Sequence, residues 1–157
     1  PLLIGARDMA FPKLNMLSYW LLLFGGIVLN SSFLLGGAPN AGWTSYAPLS
    51  TSAYSQGTSI DFWILGVLLI GISSTIGAIN FLVTIITMRC PGMKLTEVPM
   101  FVWSMVVTSA MVLFSTPMIT VALLLLFLDR NFNTVYFNIA GGGVTFTPIA
   151  PAPAAIN

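Results

Sequence analysis

Charge is confined to four places in this 157-residue chain: residues 7–13, Asp61, residues 89–97 and residues 129–130. Between them run three long uncharged tracts, at about 14–35, 62–88 and 98–128. A hydrocarbon core ~30 Å thick is crossed by about 20 helical residues, so each tract can span it, the last two with tilt to spare. A segment alone in lipid must satisfy its backbone within itself, which predicts a helix for each. The fold class read from this pattern is an all-α membrane protein. Pro117 lies inside the third tract and has no N–H for the carbonyl of Leu113, so a kink is expected there.

Composition closes off the alternatives. Only 6% of residues are charged and 57% are hydrophobic, with a mean hydropathy of +0.95; a soluble domain carries roughly 25% charged residues. A net charge of +1 leaves no basic surface for nucleic acid. Histidine is absent and Cys90 is the only cysteine, which excludes an internal disulfide, imidazole catalysis and a zinc or iron–sulfur site built from this chain alone. There is no phosphate loop, no GxSxG and no carboxylate pair at catalytic spacing, and the eight methionines read as core or lipid-facing filler. The chain opens on Pro1 without a basic region ahead of an apolar one, so it is expected to be an internal piece of a longer protein.

Basic residues orient the spans. Arg7 and Lys13 precede the first, and Arg89 and Lys94 lie between the second and third. The loop at about 36–60 has no Lys or Arg, and only Arg130 follows the third span. The amino-terminal end and the 89–97 loop are therefore expected in the cytoplasm, with the long loop outside. That loop is rich in Ser, Gly and Thr and carries Trp43 and Tyr46. Asp61 reads as an acid favoured by the dipole at a helix start, and Asp129–Arg130 as a helix-end ion pair. Pro91 and Gly92 mark a turn. After residue 137 the character changes: Gly141–Gly143 reads as a joint, and the Pro- and Ala-rich run from Pro148 to Pro153 as extended backbone.

The second span carries a polar stripe. At helical spacing Gly66, Ile70, Ser73, Gly77, Asn80, Thr84 and Thr87 share a face, opposite Leu, Ile, Val and Phe. Helix packing through small and hydrogen-bonding residues is one reading; a water-lined path through the membrane, with Ser73 and Asn80 as hydrogen-bonding posts, is the other. Asp8, Asn15 and Ser18 open on the side where Asn80, Thr84 and Thr87 end the stripe. A carboxylate at the mouth of a file of neutral hydrogen-bonding groups is what proton intake requires.

Several blocks, in order, give the chain a resemblance to subunit I of the haem–copper respiratory oxidases. They are the stretch from Ile4 to Asn15 containing Gly5-Ala6-Arg7-Asp8 and Phe11-Pro12, then Gly42-Trp43-Thr44 with Tyr46-Ala47-Pro48-Leu49. Gly71 to Phe81, with Ser73-Ser74 and Asn80, follows, and then Met100-Phe101-Val102-Trp103 and Leu128-Asp129-Arg130-Asn131-Phe132. The resemblance implies that residues 1–137 supply three transmembrane helices of a twelve-helix bundle, the third to the fifth, with 138–157 a tail foreign to the family. It implies a proton-pumping terminal oxidase that reduces oxygen to water. Asp8 would be the proton intake, Asn15, Ser18, Ser73, Ser74 and Asn80 would continue the pathway, and Trp43 would neighbour the haem propionates. The complete enzyme would hold haem and copper. This chain alone, lacking every metal ligand and the internal glutamate, is expected to bind neither and to be inactive. The implied partners are the remainder of subunit I, the other oxidase subunits, the lipid bilayer, and cytochrome c or quinol as electron donor. The Phe24–Asn30 stretch looks bacterial, pointing to a bacterial plasma membrane rather than the mitochondrial inner membrane. Met16 stands where many relatives have a second asparagine, and Val144 follows Gly143 where the family continues with Asp-Pro. The competing reading is a truncated, catalytically inert fragment with a structural role only; a small ion conductor unrelated to respiration is disfavoured by the matching blocks.

Overall fold

The computed structural model describes residues 1–137 apart from 36, 48, 53, 133 and 135. Three helices dominate: α1 (Pro12–Leu35), α2 (Ser59–Thr87) and α3 (Met100–Phe132), with short 3-10 turns at Leu2–Ile4 and Leu95–Glu97. No strand occurs among the described residues. At 1.5 Å per residue the helices measure roughly 36, 43 and 50 Å, longer than the ~30 Å hydrocarbon core. All three are long and apolar enough to cross a membrane.

Backbone chemistry sets their ends. Pro12 opens α1, where its fixed φ is already helical and its missing N–H would have had no partner. The second helix begins at Ser59, three residues ahead of the expected start, and carries Asp61 in its first turn. It stops at Thr87, short of Pro91 and of Gly92, whose φ is 96°. Ahead of α3, the carbonyl of Pro99 accepts from the N–H groups of Val102 and Trp103 at 2.9 and 3.4 Å. The third helix runs through Pro117 and on to Phe132, so Asp129 and Arg130 sit on its last turn rather than beyond it. The tail features at 141–143 and 148–153 lie outside the described residues.

The chain divides into two compact units, to each of which every helix contributes a segment. The first comprises Pro1–Gly26 and Val67–Thr120. Its apolar core gathers Ile4, Ala6, Ile85, Val98 and Val102, with Met93, Met105 and Val106 packed against it. The amino-terminal segment is held there by its backbone: Ile4 and Ala6 donate to the Pro1 carbonyl, and Cys90 donates to the Ile4 carbonyl, each at 3.0 Å. Gly5 makes this possible. Its φ of 72° is left-handed, and a Cβ at that position would stand 1.9 Å from Cys90 Sγ, so a side chain is excluded both by conformation and by space. Within the same unit α2 and α3 approach at Gly71, where a Cβ would meet Thr120 Cγ2 at 2.7 Å. One turn further on, the hydroxyls of Thr75 and Thr116 are 2.8 Å apart.

The second unit comprises Ile27–Gly66 and the chain from Val121 onward. Ile60, Ile64, Leu123 and Leu126 are buried in it. Its long loop is folded by local bonds: Ser50 N–H to the Tyr46 carbonyl at 3.1 Å, Ser55 N–H to the Thr51 carbonyl at 3.0 Å, and the Ser55 hydroxyl to the Leu49 carbonyl at 2.5 Å. Of the three helices α2 is the most enclosed. On α3, Met111, Phe114 and Met118 stay largely exposed, an apolar surface suited to lipid or to further helices rather than to water.

Candidate functional site

The polar stripe of α2 turns inward. Ser73, Asn80 and Thr84 are buried, Gly66 is buried, and Thr87 is exposed. In the first unit this face meets the backbone just ahead of α1 and on its early turns. Asn80, with no exposed surface, uses both ends of its amide on one residue. Its Oδ1 accepts from Phe11 N–H at 3.0 Å, and its Nδ2 donates to the Phe11 carbonyl at 3.2 Å. That carbonyl also accepts the helical bond from Asn15 N–H at 3.0 Å, so both of its lone pairs are engaged. Thr84 Oγ1 accepts from Ala10 N–H at 2.9 Å and donates to the Asn80 carbonyl at 2.6 Å. The Ser73 hydroxyl donates to the Ser18 carbonyl at 2.5 Å.

The local sequence explains these ties. An α-helix leaves its leading N–H groups without intrahelical partners, and Ser, Thr, Asp or Asn usually supplies an oxygen from the capping position. Before Pro12 stand Ala10 and Phe11, which have no side-chain oxygen. Asn80 and Thr84, on another helix, instead bond the two N–H groups just ahead of that end, those of Phe11 and Ala10.

The carboxylate of Asp8 lies just upstream. Asp8 is exposed, and its Oδ1 accepts from Met9 N–H at 2.7 Å. Met9 is buried, with its sulfur 4.0 Å from Thr84 Oγ1. Of the residues singled out in the sequence, the structure joins Ser73 to Ser18 and seats Asn80 at the segment that follows Asp8. Asn15 is exposed, and Ser74 back-bonds to the Ile70 carbonyl at 2.9 Å; neither side chain takes part in these ties. Thr84 belongs among the candidate residues by its two contacts, and its only sequence signal is its place four residues after Asn80 on the stripe.

In the second unit Trp43 is 87% exposed. It lines a cleft of about 240 Å³ with Leu29, Ser32, Phe33, Pro39, Gly42 and Trp63. Charge in the same unit is arranged otherwise than expected. Arg130 pairs with Asp61, Nε to Oδ1 at 2.7 Å, and not with Asp129. Its Nη1 donates to the carbonyls of Ser50 and Ser55 at 2.7 and 3.1 Å, and its Nη2 to that of Gly57 at 2.9 Å. Asp129 is buried and accepts from the Thr134 hydroxyl and from the N–H groups of Tyr136 and Phe137, the latter two at 3.0 and 2.8 Å. Consecutive residues on a helix do not face each other, which is why the neighbours Asp129 and Arg130 find separate partners.

Among the described residues no group of three or more His, Cys, Asp or Glu could hold a metal ion. Haem iron and copper commonly draw on imidazole, and this sequence contains no histidine to supply it.

Comparison with known proteins identifies the family. The family model described as cytochrome c and quinol oxidase polypeptide I matches residues 1–150. Cytochrome c oxidase subunit 1 of Bacillus sp. (strain PS3) is 54% identical over 145 residues, covering 92% of this chain and 23% of that protein. Quinol oxidase subunit 1 of Bacillus subtilis (strain 168) is 46% identical over 144 residues, covering 92% and 22%. The heme-copper oxidase subunit I+III of Aeropyrum pernix is 51% identical over 146 residues, covering 92% and 18%. The chain thus spans about a quarter or less of the length of these relatives. Three membrane-length helices, a buried polar stripe on the second and a match over nearly the whole sequence lead to one conclusion: the chain belongs to the cytochrome c and quinol oxidase polypeptide I family.

Proposed function

We propose that this chain is part of the catalytic subunit of a proton-pumping terminal oxidase that reduces oxygen to water, and that it contributes proton-uptake helices. The observation that carries the reading is an exposed carboxylate, Asp8, at the head of the segment that the buried polar face of α2 holds. With Arg7, Lys13, Arg89 and Lys94 on the cytoplasmic side, Asp8 faces the proton source. Its carboxylate collects protons, and Asn15, Ser18, Ser73, Ser74 and Asn80 offer neutral groups that order a file of water. Such a file moves protons without burying a charge, which the membrane interior would penalise by several kcal/mol.

The remaining assignments follow from the family. The membrane is a bacterial plasma membrane; haem and copper are held by the rest of the subunit, with Trp43 beside the haem propionates; cytochrome c or quinol supplies the electrons. A second reading, in which the chain is an inert structural fragment, draws on the same hydrogen bonds, because Ser73 ties α2 to α1 and Asn80 and Thr84 tie it to the backbone just ahead of α1. The replacement Asp8→Asn in the complete oxidase separates the two. It keeps the size and removes the charge, so proton pumping should be lost and turnover slowed at normal haem content. An unchanged proton-to-electron ratio in vesicles would leave only the structural reading.

A further inference from the structure

We infer that Asn80 and Thr84 are positioning residues for Asp8, acting through the backbone of Met9–Phe11; this rests on the proton-uptake reading of Asp8. Three successive residues after Asp8 are anchored to α2. Met9 is buried with its sulfur against Thr84 Oγ1, Ala10 N–H is held by the Thr84 hydroxyl, and Phe11 is held at both its N–H and its carbonyl by the Asn80 amide. Asp8 is two residues from Ala10, so chain geometry keeps its Cα within about 7 Å of that anchor.

The anchors are of a demanding kind. The N–H groups of Ala10 and Phe11 lie ahead of Pro12 and have no carbonyl one turn back within α1 to bond. Asn80 and Thr84 are 0% and 2% exposed, so a lost acceptor there is not simply replaced by bulk water. An amide that bonds both the N–H and the carbonyl of one residue also fixes that residue's orientation, not only its distance. A carboxylate meant to receive protons at one place needs its backbone held in this way, because among the described residues its side chain bonds only the N–H of the next residue.

The test uses the complete oxidase carrying this segment, reconstituted in vesicles with an artificial reductant. A graded series at one position, Thr84→Ser, Thr84→Cys and Thr84→Val, keeps the volume close while weakening and then removing the acceptor for Ala10 N–H. Two quantities are read: backbone amide exchange at Ala10 and Phe11, and protons taken up per electron. Thr84→Val should speed exchange at Ala10 about tenfold or more and lower proton uptake at an unchanged haem spectrum. Thr84→Ser should restore both, with Thr84→Cys between them. If uptake falls while exchange at Ala10 and Phe11 stays protected, the hydroxyl acts on the water path directly and the positioning role is overturned. Faster exchange with uptake unchanged overturns it as well, leaving a purely structural tie. Asp8→Asn is run beside the series: if that variant pumps normally, the proton-uptake reading itself fails, and the positioning role fails with it.

Discussion

Replacing Arg130 with Met should destabilise the second unit by about 3–5 kcal/mol, the range for removing one partner of a buried ion pair. The side chain of Arg130 is 4% exposed and that of Asp61 22%, so the loss is not offset by full hydration of the carboxylate left behind. Met fills much of the space of the arginine stem, and what disappears is the guanidinium with its four bonds, one to Asp61 and three to the carbonyls of Ser50, Ser55 and Gly57. Those three bonds tie the 50–57 stretch to α3, so the loop should open first. Asp61→Asn keeps a neutral acceptor for Nε and should cost about 1–2 kcal/mol, roughly the difference between a charge-assisted and a neutral hydrogen bond. Thermal unfolding of the purified protein gives the stabilities, and limited proteolysis reports cleavage within 50–57. Because the two groups share one interaction, the double variant Asp61→Asn/Arg130→Met should be little worse than Arg130→Met alone. Additive losses, or an Arg130→Met protein within about 0.5 kcal/mol of the parent, would refute the reasoning.

Two further outcomes are open to direct measurement. Gly5→Ala should cost at least about 1–2 kcal/mol from its left-handed φ alone, and more from the collision with Cys90 Sγ. Adding Cys90→Ala to Gly5→Ala should recover the second part and not the first, which paired thermal denaturations would reveal. Cysteines introduced at the exposed positions Gln56 and Thr96 should label from opposite sides of the membrane, with only the former reached by an impermeant reagent from outside. The reverse pattern would overturn the orientation drawn from Arg7, Lys13, Arg89 and Lys94.

Much of the fold was legible before any coordinate. In lipid a single segment has one way to satisfy its backbone, so three uncharged tracts bounded by Lys13, Asp61, Arg89, Glu97 and Asp129 define three helices. The blocks around Asp8, Trp43, Asn80 and Arg130 sufficed to indicate the family. The stripe on α2 was legible as a face, because helical spacing depends on one element alone.

What the stripe bonds to was decided by tertiary structure. Asn80, Thr84 and Ser73 hold the backbone of Phe11, Ala10 and Ser18, and Arg130 holds three carbonyls besides Asp61. A peptide group is the same at every position, so a partner of that kind leaves no trace in residue type. Sequence proximity then misleads, as it does in suggesting Asp129 for Arg130. Contacts such as Thr75 with Thr116, or Gly5 beneath Cys90, depend on how closely separate elements approach, and only the packed chain sets that distance.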